Sequence, residues 1–145
     1  MSFDDPRDFL ARLEEEGDLI RISEPVDARF EISAYIRKAS DQQGPALLFE
    51  QVKGRDIPVV GGIFAARRRV LRALGFKSEE AVERFHQAAD HPIAPVLVDE
   101  GPCQEVVLQG DEVDLTRLPI PTYSPQDGGA FITHGIEITK DPETG

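Results

Sequence analysis

The sequence predicts an α/β fold: a layer domain with a mixed sheet over residues 1–109, a connector over 110–129, and a β-type segment over 130–145 that belongs to something else. Three observations carry this. Up to about Leu108, stretches with apolar residues at helical spacing alternate and mix with short apolar runs of strand length. Glycine and proline punctuate the boundaries between them. The chain has 145 residues, 40% of them apolar, which is enough for one domain with a real core and too little for two.

The elements follow in order. Ser2 is placed to cap a first helix, with Asp5 three residues on and Pro6 tolerated in the first turn. Phe3, Pro6, Leu10 and Leu13 share one helical face, and Gly17 is a good stop. Leu19-Ile20-Arg21-Ile22 reads as a short strand ended by Glu24-Pro25. A second helix is expected from Glu31 to Ser40, closed by Gln42-Gln43-Gly44-Pro45. Ala46-Leu47-Leu48-Phe49 and Ile57-Pro58-Val59-Val60 read as a hairpin about the turn Lys53-Gly54-Arg55-Asp56, with Pro58 favouring an edge or terminal place. After Gly61-Gly62 comes a basic helix, residues 66–74, ended by Gly75. Ser78 starts another, with Ala81, Val82, Phe85 and Ala89 as its apolar side. Residues 95–98 and 105–108 read as two further strands.

Composition narrows the function. A net charge of −11, from 16 Lys and Arg against 27 acids, argues against nucleic acid, which requires a basic face. From Asp99 to Asp114 there are six acids and no basic residue, which reads as a solvated surface segment. No apolar run reaches bilayer-spanning length, and the acidic N-terminus lacks the regions of a signal peptide. The single cysteine, Cys103, permits no internal disulfide and makes the cytoplasm the expected compartment.

Few residues suggest chemistry. A strand, Gly61-Gly62 and then a helix is the layout that cradles phosphate, but no G-x-G-x-x-G or P-loop spacing accompanies it. Arg67, Arg68 and Arg69 point in three directions around a helix, so the reading is a structural turn followed by solvated arginines. His86 and His91 are five apart, which is not a metal-ligand spacing on a helix. In a strand, His134 and Glu137 would lie on opposite faces and share no metal. The same alternation puts Phe131, Thr133 and Gly135 on one face, with Ile132 and His134 on the other. A face of aromatic, hydroxyl and glycine suits close approach by a flat ligand, although an ordinary strand has the same pattern.

In order and spacing, these pieces resemble the N-terminal portion of the UbiD family of decarboxylases, which use prenylated FMN. The resemblance runs from DFLARLEEEGDLIRI through EPVD and EISAYIRKA to PALLFEQVKGRDIPVVGGIFAARRRVLRALG. It ends in its most specific part, LPIPTYSPQDGGAFITHGIEITKDPETG. It implies an N-terminal α/β domain followed by a split β-barrel that binds the flavin, with residues 131–139 as an opening strand of that barrel. It implies a reversible, non-oxidative carboxy-lyase for aromatic, heteroaromatic or α,β-unsaturated carboxylic acids, a prenyl-hydroxybenzoate in ubiquinone synthesis among them. Prenylated FMN, Mn2+ and K+ are the implied cofactors, and a homo-oligomer is implied at full length.

One site residue carries over: Thr133 matches the threonine that lies near the modified flavin. The family's metal-holding Asn, His and Glu, its catalytic Arg and its paired catalytic Glu follow the D-P-x-T-G turn. Here that turn is residues 141–145, so the expectation is a chain that ends inside a domain and is inactive by itself. Gly62-Ile63-Phe64-Ala65-Ala66 departs from a stretch that often reads Gly-Asn-Leu-Phe-Gly. The alternative is a stand-alone, non-catalytic accessory subunit or interaction domain of a decarboxylase complex. Either way, residues from about Gly110 onward are expected to pack poorly without further strands to pair with.

Overall fold

The computed structural model describes residues 3, 5–137 and 139–144. The element order is α1 (Pro6–Glu15), β1 (Leu19–Ile22), α2 (Glu31–Asp41), β2 (Ala46–Phe49), β3 (Val59–Gly61), α3 (Arg67–Leu74) and α4 (Ala81–Asp90). Three short 3-10 turns follow, at Pro102–Gln104, Gly110–Glu112 and Leu115–Arg117.

The sheet is mixed, with order β1-β2-β3. β1 and β2 are parallel, with Leu19 opposite Ala46 and Ile22 opposite Phe49. The crossover between them is α2, as a parallel pair requires. β2 and β3 are antiparallel and start from the expected turn, where Arg55 donates to the carbonyl of Val52 at 3.0 Å. β3 begins at Val59 rather than Ile57, because Pro58 has no N–H to give the ladder.

Strand alternation divides the core in two. Leu47 and Phe49 join Val26, Ile32 and Val52 on the α2 side, while Ala46 joins Phe9, Leu13 and Leu19 on the α1 side. Helices therefore cover both faces, the layered arrangement the sequence predicts.

The expected cap of α1, Ser2, lies outside the described residues. The N-cap is Asp5, whose carboxylate accepts from the N–H of Arg7 and, at 3.2 Å, from that of Asp8, with Pro6 at the first helical position. Asp5→Ala is expected to cost about 1 kcal/mol of stability, read as a lower urea midpoint. At the other end Gly17 adopts φ +73°. Its N–H donates to Glu14 O at 3.0 Å, and the N–H of Asp18 donates to Leu13 O at 2.7 Å. This Schellman turn sets Asp18 between α1 and β1.

Several expectations need correction. α4 starts at Ala81 instead of Ser78, and its N-cap is Glu80. Its apolar side is not packed: Val82 and Phe85 are exposed. Residues 95–98 and 105–108 form no strands, and Leu97 is 96% exposed. Apolar β-branched runs favour a strand only when a pleated neighbour is present, and none of the described strands lies beside them. Residues 131–137 likewise form no strand, and Ile138 lies outside the described residues.

The segment after Gly110 is not uniformly loose. Pro119 and Pro121 are buried. The N–H of Phe30 donates to Thr122 O at 3.0 Å, and that of Thr122 donates to Ala28 O at 3.1 Å. Ser33 Oγ adds a bond to Tyr123 O at 3.1 Å. The connector is thus fastened to the entrance of α2 by main-chain bonds that pattern analysis of side chains does not register.

Candidate functional site

The docked connector brings the diglycine segment back to the α/β domain. The carboxylate of Asp127 accepts from the N–H of Ser124 at 2.8 Å, closing a turn. The N–H of Phe131 then returns to Pro121 O at 3.3 Å. This loop carries Thr133 and His134 to the end of β3. There a cavity of about 230 Å³ opens, walled by Gly61-Gly62-Ile63-Phe64 on one side and Tyr123, Thr133 and His134 on the other. Ile36 of α2 forms part of its floor.

The wall is built for flat groups. Tyr123 and Thr133 share a hydroxyl–hydroxyl hydrogen bond of 3.1 Å. The Tyr123 and Phe131 rings lie 5.0 Å apart. The His134 imidazole lies 5.2 Å from the Phe64 ring at 33°, and Phe64 stacks in turn on Phe9 at 6.1 Å. Gly62 sits at φ +69°, a conformation that disfavours any side chain. The cavity therefore offers aromatic faces, a hydroxyl able to donate or accept, and bare backbone. Among the described residues no carboxylate lines it.

Behind the glycine turn lies Arg69, whose side chain is 1% exposed. The sequence reading treats the three arginines as solvated, and Arg69 overturns it. Its Nε donates to Ile63 O at 2.7 Å and its Nη2 to Gly62 O at 2.9 Å. Its Nη1 donates to Gly44 O at 2.9 Å and to the carboxylate of Asp18 at 2.8 Å. Arg68 holds the other oxygen of Asp18 through its Nε at 2.8 Å. The Arg68 hydrogen bond, with the charge of Arg69 beside it, keeps the Asp18 carboxyl below the ordinary carboxylate range against the opposing effect of burial. Each guanidinium nitrogen of the sole buried charged side chain among the described core residues thus has a hydrogen-bond partner.

Thr133, the one predicted site residue, lies in the cavity wall. The expected alternation does not hold: Thr133 and His134 both line the cavity, because residues 131–137 bend there instead of running as a strand. Gly61-Gly62, weighed as a phosphate cradle, form the opposite wall. Cys103 is exposed, and the ring of His91 contacts Gln87 O at 3.0 Å at the end of α4. Among the described residues, no three His, Cys, Asp or Glu side chains cluster to hold a metal. No helix among them is long and apolar enough to cross a membrane. The sequence reading missed Tyr123, Phe64 and Ile36. Only Tyr123 leaves a trace in sequence, as an aromatic held between two prolines.

Residues 10–89 match the family described as the 3-octaprenyl-4-hydroxybenzoate carboxy-lyase N-terminal domain, and residues 96–145 match the Rift-related domain of the same enzyme. Among solved structures, the chain is similar to an evolved dimeric form of the UbiD-class enzyme HmfF from Pelotomaculum thermopropionicum in complex with prFMN. The TM-score is 0.88 at 37% identity, covering 96% of this chain and 33% of that one. It is similar to the vanillic acid decarboxylase of Sedimentibacter hydroxybenzoicus in open form, with TM-score 0.80 and 31% identity over 91% of this chain and 30% of that one. A third likeness is to an apo 3,4-dihydroxybenzoic acid decarboxylase from Enterobacter cloacae, with TM-score 0.78 and 32% identity over 90% of this chain and 30% of that one. The chain spans about a third of the length of these relatives. Two family matches in tandem, and a 37%-identical fold over nearly its whole length, mean that the chain belongs to the UbiD family.

Proposed function

We propose that this chain forms the N-terminal α/β domain (residues 1–109), the connector (110–129) and the opening of the flavin-binding domain (130–145) of a UbiD-type carboxy-lyase. The reaction is reversible, non-oxidative decarboxylation of an aromatic, heteroaromatic or α,β-unsaturated carboxylic acid, a prenyl-hydroxybenzoate among the candidates. The observation that carries the reading is the continuous likeness to decarboxylases of vanillic and 3,4-dihydroxybenzoic acid, together with a relative solved with prFMN. A homo-oligomer is the expected assembly, by analogy with the dimeric relative.

The donor set of the cavity is compatible with one edge of a flavin. At about 230 Å³ it is smaller than the usual site for a drug-sized ligand, roughly 300–1,000 Å³, so it takes a ring edge and not a whole nucleotide. Phe64 and His134 offer faces for stacking, the hydroxyls of Thr133 and Tyr123 meet a polar edge, and Gly61-Gly62 leave room for close approach. When bound, prenylated FMN supplies the electron sink that holds the density left on carbon as CO2 departs. For Mn2+ and K+ the described residues gather no cluster of three ligating side chains, so no metal site is assigned to this chain.

The test is a titration of the isotope-labelled chain with FMN, followed by amide shifts in NMR spectra. Shifts are expected at Gly62, Phe64, Tyr123 and Thr133. Thr133→Val, which removes one hydrogen bond, is expected to weaken binding roughly fivefold. Shifts scattered over the surface, or none, would sink the reading of this cavity as a flavin contact.

A further inference from the structure

We infer that Arg69 is a positioning residue for the ligand cavity: from behind the wall it fixes the Gly62–Phe64 turn against which Thr133 and His134 face. This rests on the reading of the cavity as a ligand site.

The geometry is specific to this arginine. Four bonds leave one planar guanidinium: two to the carbonyls of Gly62 and Ile63, one to Gly44 O, and one to the Asp18 carboxylate. Asp18 is itself fixed by the Schellman turn at the end of α1, and Gly44 O belongs to the turn entering β2. The guanidinium therefore ties the glycine turn to two rigid points of the α/β domain. Because the peptide unit is planar and trans, drawing both carbonyls onto Arg69 turns the N–H groups of Ile63 and Phe64 away from it. It also fixes where Phe64 stands, and Phe64 is the ring that His134 packs against, tilted by 33° at 5.2 Å. Arg69 is not among the residues lining the cavity, and its hydrogen bonds to the wall go to main-chain carbonyls, so it acts through the backbone.

Lysine cannot substitute. It brings three donors on one nitrogen and no planar fork, so it cannot span Asp18 and three carbonyls at once. Arg68 gives the internal control. It shares Asp18, but its other contacts are the carbonyls of Gln43 and Gly44, outside the cavity wall.

The experiment uses the 145-residue chain with and without FMN. Without ligand, the ring protons of His134 report the nearby Phe64 ring through their ring-current shift. In Arg69→Lys these signals are expected to move towards the values of a free imidazole ring while the chain stays folded, and FMN affinity is expected to fall roughly fivefold, the equivalent of one lost hydrogen bond. Arg68→Gln is expected to retain the His134 signals. Unchanged His134 signals in folded Arg69→Lys overturn the inference, and so does an equal displacement in Arg68→Gln. Should Arg69→Lys fail to fold, Asp18→Asn, which loosens the anchor and leaves the carbonyl contacts, is expected to move the same signals less far. No movement there overturns the inference. The ligand-free signals also separate the two claims. A wild-type chain that ignores FMN removes the flavin reading, while the His134 shifts still decide the role of Arg69.

Discussion

Asp18→Ala is expected to lower the unfolding free energy by about 3 kcal/mol, the lower end of the range for breaking a buried ion pair. The cost does not come from the attraction lost at the surface. It comes from leaving Arg69, at 1% exposure, charged and without its counter-ion inside the domain. The carbonyls of Gly44, Gly62 and Ile63 still accept from it, which keeps the loss from reaching the upper end. Exposed pairs set the contrast. Arg37 and Asp41, one helical turn apart with side chains 79% and 57% exposed, are screened by solvent, and Arg37→Ala is expected to change the urea midpoint little. The same carboxylate predicts an acid limb. Its folded pKa lies below the ordinary value of 3.8, so its stabilisation is complete above that value and is lost as pH falls through the folded pKa. The stability gap between wild type and Asp18→Asn is therefore expected to be full near neutral pH and to close below about pH 4. Paired urea titrations at neutral and acidic pH measure it. A gap that persists unchanged in acid removes Asp18 as its source.

How much of this was legible in the sequence depends on the range of the interactions. α1, β1, α2, β2, the hairpin to β3 and α3 are specified by local spacing and by Gly17, Gly54 and Gly75, and they form close to where the residues put them. The Asp18–Arg69 clasp joins residues 51 apart and leaves no periodic trace. A run of three arginines carries no mark of which one turns inward. Thr133 is singled out in the sequence by its place on a face of aromatic, hydroxyl and glycine and by the family likeness, and the structure puts it in the cavity wall. The pairing of Thr133 with Tyr123 is not legible, because their meeting depends on the main-chain bonds that Thr122 gives to Ala28 and accepts from Phe30. Residues 95–98 and 105–108 fail in the opposite sense. Their composition asks for strands, and the described sheet supplies no edge beside them.

Gly61→Ala is expected to destabilise the chain by about 1–3 kcal/mol, the usual cost of overpacking, and to disturb the cavity directly. A Cβ on Gly61 would stand 2.2 Å from Ile36 Cδ1 and 2.6 Å from Ile36 Cγ1. Neither distance is tolerable, so Ile36 has to move. It lies on α2, where a β-branched side chain has one strongly favoured χ1, so swinging Cγ1 aside sets it off-rotamer or shifts the helix. Ile36 also forms part of the cavity floor, so its displacement alters the space beside Thr133. Two further variants isolate the cause. In Ile36→Ala the clashing atoms are gone and only Cβ remains, 3.9 Å from the added methyl. The double variant is therefore expected to be less destabilised than the sum of the singles, with a coupling of about 1 kcal/mol or more. Gly129→Ala, whose added methyl meets nothing within 4 Å, is expected to leave stability within about 0.5 kcal/mol of wild type. If Gly61→Ala and Ile36→Ala prove additive, steric conflict with Ile36 is not what keeps this position glycine. If they couple as expected, β3 ends in glycine because α2 passes too close for any side chain, and that same close approach shapes the cavity that Thr133 faces.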